Sequence, residues 1–186
     1  MRLSNLRGAA LFAALLAAAP LGCTSDDDGG APPVEAAPIE AAEDADAVAA
    51  ARDDLDALYK GDYRRAFVEK NPDFFLRHIP DDFTSTQVDG SRARAAELRQ
   101  FFPQFMAAIE RTLEHNVTIE QVKVRGDRIE AVVTLTTVLD LRSPAGVVYN
   151  EISVGTYLDT FVRRDGTLFE VSGEQLRSSV TGGPRP

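Results

Sequence analysis

Residues 129–141 read IEAVVTLTTVLDL and form the centre of a long β-prone segment. Apolar and polar side chains alternate along most of this run, which is typical of a strand with one face on a core. Three similar runs accompany it, at residues 113–124, 147–162 and 167–178. Short segments that contain glycine separate the four runs, as in hairpins. This half of the sequence therefore predicts four long strands in an antiparallel meander.

The sequence before these strands predicts three helices. Residues 43–70 place apolar side chains at helical spacing, and Gly61 marks a point where this helix breaks or kinks. Residues 71–80 form a short second helix, because an Asn-Pro-Asp sequence opens it and a proline closes it. Residues 91–110 form the third helix, which Pro103 kinks or splits.

Between the second and third helices, residues 83–88 (FTSTQV) predict a short strand. Helices followed by strands are typical of the α+β class. We therefore expect a cone-shaped fold, in which three N-terminal helices pack on a strongly bent antiparallel sheet and leave a hollow inside. This domain is predicted to cover residues 43–180, with residues 181–186 as a frayed tail.

The first 22 residues are typical of a bacterial export signal. Arg2 and Arg7 give a positive start, and the apolar stretch that follows is shorter than a membrane span. The sequence PLGC at residues 20–23 resembles a lipobox, in which Cys23 is lipidated and the residues before it are removed. Leucine usually lies three residues before that cysteine, where this chain has Pro20, so an ordinary secretory signal cleaved nearby is the alternative.

Lipidation at Cys23 predicts a protein anchored to the membrane by its acyl groups. Residues 24–42 are rich in Asp, Pro and Ala and carry no large apolar cluster, so residues 23–42 are predicted to be an anchor followed by a disordered tether. Thr24 follows the cysteine, whereas an Asp there favours the inner membrane in many lipoproteins. The resemblance to lipoproteins thus implies the outer membrane, facing the periplasm.

The net charge of −9 and the pI of about 4.7 argue against nucleic acid, because phosphate binding needs clustered Lys and Arg. One cysteine and two distant histidines do not make a zinc site. The glycine-rich phosphate loops and the G-x-S-x-G elbow are missing from the sequence as well. The sequence predicts no metal and no cofactor.

The order and spacing of several short motifs resemble the NTF2-like (SnoaL-like) superfamily over residues 45–180. These motifs are PDDF at residues 80–83, a turn at 89–90, LxxFF at 98–102 and TFVRRDG at 160–166. The resemblance implies a cone-shaped α+β domain with an interior pocket and, often, a homodimer through the sheet. It implies no single function, because members include isomerases, cyclases, dehydratases and pocket-bearing domains without known activity.

Ketosteroid isomerase has the best-understood chemistry on this fold, with an Asp base and a Tyr and a protonated Asp as oxyanion donors. Resemblance to its pattern places its tyrosine at Tyr63 and its acidic donor near Asp159. Its base falls on Gln87, which does not accept a proton at neutral pH. Tyr63 has a pocket role or packs its ring with the hydroxyl in water, and Asp159 faces either the pocket or solvent.

Two further groups are candidates for acid–base chemistry. His78 lies close in sequence to Asp81 and Asp82, so a His–Asp dyad is one interpretation. The alternative is that His78 caps the C-terminus of the short helix, where the helix dipole favours it. His115 is predicted to lie at the surface, next to the first long strand.

Strand alternation indicates which polar side chains face inward. Thr137 has apolar neighbours on its face of the strand, so we expect it to point into the cone, and Glu174 or Gln175 to add one group. The sequence thus favours a binding domain for a small, partly apolar ligand or a protein partner, with Tyr63, Gln87, Thr137 and Asp159 as ligand-binding candidates. The alternative is an enzyme of the isomerase or dehydratase type that acts by proton transfer, with Tyr63, His78, Asp82 and Asp159 as candidate catalytic residues.

Overall fold

The computed structural model of the protein describes residues 44–184. Helix α1 (Ala45–Leu58) begins at Asp44, whose side chain accepts hydrogen bonds from the backbone N–H groups of Asp46 and Ala47. The predicted signal, Cys23, the whole tether and residues 185–186 lie outside the described residues. Among residues 44–184, no helix combines the length and apolar character that a membrane span requires.

The first predicted helix is continuous but changes its winding at the glycine. Tyr59–Tyr63, which includes Gly61, forms one turn of π-helix, and α2 (Arg64–Val68) continues it. The short helix α3 (Asp73–Leu76) follows. The side chain of Asn71 accepts a hydrogen bond from the Asp73 backbone N–H at 3.0 Å, but the helix ends at Leu76 and not at Pro80 as predicted.

The third predicted helix begins four residues later than the sequence suggests. Strand β1 (Thr84–Thr86) pairs antiparallel with β2 (Arg92–Arg94), and α4 (Ala95–Ala108) starts only after that hairpin. Pro103 lies inside α4 without ending it.

Four long strands complete the chain: β3 (Ile109–Arg125), β4 (Arg128–Arg142), β5 (Val148–Arg164) and β6 (Thr167–Pro184). Their pairings are all antiparallel, which confirms the predicted meander. The strand order of the sheet is β2-β1-β6-β5-β4-β3.

The sheet has one parallel junction, which the strand patterns do not predict. Strand β1 runs parallel to β6, with Ser85 opposite Gly173, so the sheet is mixed and open. Parallel neighbours need a long connection. Here that connection is α4 together with the meander, a non-local pairing that the pattern of each strand does not encode.

The predicted frayed tail is also wrong for its first residues. Thr181, Gly182 and Gly183 pair with Ile152, Glu151 and Asn150 of β5. Strand β5 extends to Val148, and its backbone groups at this end need partners, which β6 supplies.

The bent sheet and the helices enclose one apolar core. Leu55 of α1, Phe102 of α4 and Phe161 of β5 are among its most deeply buried members, each at most 2% exposed. Odd-numbered residues of β4 and β5 face this core, whereas their even-numbered neighbours Ile152 and Val154 are exposed on the outer face. The inner face of β5 therefore determines which polar groups enter the cone.

Candidate functional site

Two tyrosines of the π-helical turn reach across the core to two carboxyl groups of the sheet. The Tyr59 hydroxyl donates to Asp159 Oδ2 at 2.5 Å, and the Tyr63 hydroxyl donates to Glu170 Oε2 at 2.7 Å. All four side chains are buried. The tyrosine rings contact each other edge to face with their centroids 5.2 Å apart. The helix thus holds one oxygen of each carboxyl group in place.

The wide helical turn explains how both hydroxyl groups reach the sheet. π-helical turns are rare and occur frequently at functional sites. Here the turn carries Tyr59 and Tyr63, four residues apart, on the side that faces β5 and β6. Gly61, between them, has open space where a Cβ would lie and is not needed for packing.

Burial makes both acids hold protons more strongly than usual. Desolvation raises the pKa of Asp159 to about 7, against the hydrogen bond from Tyr59, which lowers it. Desolvation, followed by repulsion from Asp159, raises the pKa of Glu170 well above its usual range. Burial and the neighbouring carboxyl groups also raise the pKa values of Tyr59 and Tyr63, so both hydroxyl groups stay protonated as donors. Near neutral pH the two acids therefore carry at least one proton between them.

A small cavity of about 20 Å³ lies beside this cluster. Strands β1, β5 and β6 and the residues around β1 line it: Phe83, Ser85, Thr86, Gln87, Tyr157, Asp159, Glu170, Gly173 and Gln175. The lining contains no Lys, Arg or His. The carboxyl pair therefore faces the cavity without a basic side chain to balance its charge.

Gly173 keeps the space between the two acids open. A Cβ at this position would lie 3.1 Å from Asp159 Oδ1 and 3.3 Å from Glu170 Oε1. These are the two oxygens that the tyrosines do not bind. Any ligand atom that occupies this space lies within reach of both free carboxyl oxygens.

A second glycine places the aromatic wall of the cavity. A Cβ at Gly155 would overlap the side chain of Tyr157, so the absence of a side chain lets that ring lie along its own strand. The Tyr157 hydroxyl accepts a hydrogen bond from Gln175 Nε2 at 3.2 Å. Burial raises the pKa of Tyr157 to about 12. The wall is thus a neutral phenol ring.

Neither a sequence-family model nor a curated protein matches the chain. Solved structures do resemble it. A proposed scytalone dehydratase from Novosphingobium aromaticivorans superposes with a TM-score of 0.60 at 14% identity, over 76% of this chain and 91% of that protein. An NTF2-like protein from Cytophaga hutchinsonii gives 0.53 at 12% identity, over 67% and 95% of the two chains. Residues 44–184 adopt the NTF2-like fold.

A hexachlorocyclohexane dehydrochlorinase (LinA) of type 2 gives a TM-score of 0.53 at 15% identity, over 72% of this chain and 90% of that one. At these identities the similarity establishes the fold and leaves the function to the residues of the site. The site of this NTF2-like domain therefore has to be interpreted from its own geometry.

Three of the four ligand-binding candidates lie at or next to this cavity. Asp159 and Gln87 line it, and Tyr63 binds Glu170 behind it. Tyr63 and Asp159 belong to different hydrogen-bonded pairs, since Tyr59 is the partner of Asp159. Gln87 is 7% exposed, and its Oε1 is buried without a hydrogen-bond partner.

Thr137 points inward as predicted, at 2% exposure, but it does not line this cavity. It lies between His115 of β3 and Ser153 of β5, opposite both. Of the two candidates on β6, Gln175 faces the cavity and Glu174 is exposed.

The predicted dyad of His78 with Asp81 or Asp82 is wrong. His78 Nε2 lies 2.8 Å from Oδ2 of Asp62, and its Nδ1 lies 2.8 Å from the backbone oxygen of Leu168. Both ring nitrogens lie within hydrogen-bond distance of an oxygen atom, and Arg77 Nε lies 3.4 Å from Nε2 as well. His78 thereby fastens the first helical segment to β6, and its ring packs against the edge of Tyr63 with centroids 6.0 Å apart.

The carboxylate of Asp62, which contacts His78, is stabilised in its charged form. Hydrogen bonds from Arg77 and then from His78 lower the pKa of Asp62, against partial burial. Asp62 and His78 line an open groove of about 300 Å³, separate from the cavity at Asp159. Asp82 lies outside both, because it is exposed and forms an ion pair with Arg164 at 3.5 Å.

The surface position predicted for His115 is wrong as well. Its ring is 8% exposed and packs on Phe67 with centroids 4.6 Å apart. Burial lowers the pKa of His115 to about 4, so the ring is neutral at physiological pH. Alternation along β3 is interrupted by irregular register near residue 113, which hides the inward direction of this side chain in the sequence.

Sequence reasoning missed Tyr59, Glu170 and Gly173 as site residues. Two signals point to the first two. Tyr59 and Tyr63 are four residues apart, which puts both on one side of a helix. Glu170 alternates with Leu168, which is buried. Gly173 has no such signal, since its role depends on the position of two side chains from elsewhere.

No group of three or more His, Cys, Asp or Glu side chains is placed to hold a metal ion within residues 44–184. The arrangement is suited instead to hydrogen bonding and proton exchange. Two acids with raised pKa values share one space, and each is oriented by a phenol.

Proposed function

We propose that the cavity beside Asp159 and Glu170 binds a small, partly apolar molecule, and that this is the function of the domain. The observation that carries the proposal is the free oxygen pair over Gly173. Burying two carboxyl groups costs free energy, and two tyrosine hydrogen bonds offset only part of it. Such a costly polar cluster in a cavity is typical of a functional site.

The lining supports a ligand with both polar and apolar parts. Phe83 and Tyr157 offer aromatic surface, whereas Gln87 and the two acids offer polar atoms. Pockets for drug-sized ligands usually enclose roughly 300–1,000 Å³. The cavity of about 20 Å³ lies far below that range, so only a few atoms of a ligand enter it and the rest of the ligand extends towards its mouth.

The second candidate function is catalysis of proton transfer on such a molecule. It is favoured by one observation, the interaction of two acids whose pKa values are both raised. Two of the structural neighbours are described as a dehydratase and a dehydrochlorinase. Gln87 favours binding without catalysis. Resemblance to ketosteroid isomerase places the base of that enzyme at this residue, and an amide does not act as a base.

Native mass spectrometry of the full chain, purified without denaturation, tests the binding function. We expect a bound small molecule in the wild type and its loss in Gly173→Ala, whose methyl group fills the space between the acids. Gly183→Ala is the matched control, because it lies on the same strand with open space around its Cβ position. Equal occupancy in wild type and Gly173→Ala contradicts the proposal.

Two further proposals concern where and with what this domain works. We infer a lipid anchor at Cys23 that tethers it to the bacterial envelope, in the outer membrane facing the periplasm. We also infer a homodimer through the outer sheet face, where Ile152 is 41% and Val154 is 36% exposed, opposite Val138 and Thr136. In the same native spectra, a dimer that Val154→Asp dissociates supports the second proposal, and a monomeric wild type contradicts it.

A further inference from the structure

The cavity is rich in hydrogen-bond acceptors. Tyr59 occupies Oδ2 of Asp159 and Tyr63 occupies Oε2 of Glu170, so Oδ1 and Oε1 remain directed at the space over Gly173. Gln87 Oε1 is a third acceptor of the same lining and has no hydrogen-bond partner. Three acceptor oxygens thus belong to the lining of one cavity, on β5, β6 and the segment after β1.

The electrostatic surroundings of these oxygens favour a cation. The ionisable groups that face the acids are Tyr59 and Tyr63 from the first helical segment and Tyr157 from β5, and each is uncharged. His78 packs on Tyr63, but its ring nitrogens are directed at Asp62 and Leu168. No side chain of the cavity lining is basic. Within this lining, the negative charge of the two acids is reduced only when they bind protons.

We propose that the cavity takes a small primary ammonium ion, whose three N–H groups donate to Asp159, Glu170 and Gln87. This inference rests on the proposed binding function and names its ligand class. A primary ammonium has three donors and one positive charge, which match three acceptors and an unbalanced acid pair. The rings of Tyr157 and Phe83 in the same lining are suited to the alkyl part and to the cation.

Other ligand classes fit the cavity less well. An anion would meet two carboxyl groups and no basic residue. A ketone needs donors, and the amide N–H of Gln175 is already bound to Tyr157. Besides the hydroxyl groups of Ser85 and Thr86, protonated Asp159 and Glu170 are donors for a ketone, so a ketone that the acids hold binds more tightly at low pH.

The test is calorimetric titration of the full chain with n-propylammonium, 1-propanol and acetone at pH 6 and pH 8. An ammonium ion replaces a proton on the acids, so its affinity rises with pH. For displacement from a group with a pKa of about 7, the rise is about tenfold over this interval. A ketone that accepts from the protonated acids shows the opposite trend.

Two variants locate the binding. We expect Glu170→Gln to weaken propylammonium by about tenfold or more, since it removes one of the two carboxyl groups that accept from the ion. Glu174→Gln is the control, because Glu174 lies on the same strand and is exposed. If Glu170→Gln does not fold, Gln87→Leu removes one acceptor without touching the acids and is expected to weaken binding as well.

Each other outcome overturns the inference in a distinct way. Binding of acetone that strengthens at pH 6, without binding of propylammonium, assigns a neutral acceptor ligand and leaves the binding function intact. Equal affinity for propylammonium and 1-propanol shows that charge is not recognised. Absence of propylammonium binding at tens of millimolar also rejects the ammonium class, while the bound molecule in the native spectra decides the binding function separately.

Discussion

Tyr63 and Glu170 show how a single hydrogen bond controls an acid in the core. Glu170 is 6% exposed, and the Tyr63 hydroxyl is the donor that lowers its pKa against burial and the neighbouring Asp159. A buried carboxyl group that loses its donor retains the desolvation cost. The tyrosine therefore affects both the stability of the domain and the protonation of the site.

Tyr63→Phe removes this donor and keeps the ring. We expect a lower free energy of unfolding by about 1–3 kcal/mol, and a further rise in the pKa of Glu170. Urea denaturation measures the first effect, and carbon-13 NMR of the side-chain carboxyl groups measures the second. Tyr149→Phe serves as the control, on the same strand as Asp159 but ten residues away. A Tyr63→Phe protein with unchanged stability and carboxyl titration contradicts this account.

Glu151 is a buried acid of a different kind. It is 2% exposed, its Oε1 has no hydrogen-bond partner, and burial raises its pKa to about 7. Because the folded pKa is higher than the unfolded one, the folded state binds more protons between these values. The contribution of Glu151 to stability is therefore full below about pH 4.5 and is lost as the pH rises to about 7.

Glu151→Gln removes this loss. The free energy of unfolding of the variant, relative to that of the wild type, is expected to increase by on the order of 2–3 kcal/mol from pH 4.5 to pH 8. Denaturant unfolding at several pH values gives this difference, with exposed Glu174→Gln as the control. Asp159 and Glu170 add a slope of the same sign in both proteins, so only the difference is diagnostic. A difference that does not change with pH contradicts the raised pKa.

Single residues were predictable from the sequence where alternation decides their direction. Thr137 lies on the inner face, as its apolar neighbours predict, whereas alternation alone leaves Asp159 facing either the pocket or solvent, and it lies on the inner face as well. The partners of Asp159 and Tyr63 were not predictable, because residues about 100 positions apart form each bond. Long-range pairs depend on the curvature of the whole sheet, which no local pattern records.

At the scale of elements, the π-helical turn is the feature that places both tyrosines. Gly61 lies in it with a helical backbone and open space at its Cβ position. Glycine is thus not required for the geometry of the turn. It costs stability through the entropy that the unfolded chain loses on folding.

Gly61→Ala is expected to raise the free energy of unfolding by about 0.4–1 kcal/mol, since alanine restricts the unfolded chain and meets no atom in the folded one. Thermal denaturation measures the effect. Gly166→Ala makes the comparison, because Gly166 has a φ of 78° and its replacement is expected to destabilise the β5–β6 turn. Destabilisation by Gly61→Ala would indicate that the turn needs a glycine after all.

The elements themselves were largely predictable, and their boundaries less so. The four long strands follow from alternation and glycine turns, and the first helix from its apolar spacing. The pairing of β1 with β6 was missed, as was the extension of β6 to Pro184. Each pairing needs a partner strand from a distant part of the chain, and a short stretch of sequence does not reveal that partner.

At the scale of the whole molecule, the cavity and the proposed anchor fall in separate parts of the chain. The residues that line the cavity lie between positions 83 and 175, and Tyr59 of the first helical segment contacts the cluster from behind. Cys23 precedes Asp44, where the described residues begin, by 21 positions. A lipid at Cys23 would thus fix the location of the protein without entering the site.

Cys23→Ser tests this separation in cells. The variant lacks the thiol that would carry the lipid, so we expect it to move from the membrane fraction to the soluble fraction, or to accumulate unprocessed. Thr24→Ser is the control, since it retains the cysteine and its lipidation. Mass spectrometry of the wild type is expected to show an acylated peptide that begins at Cys23. A soluble wild type that starts at another residue would favour an ordinary secretory signal, and the domain would then be free in the periplasm with the same cavity.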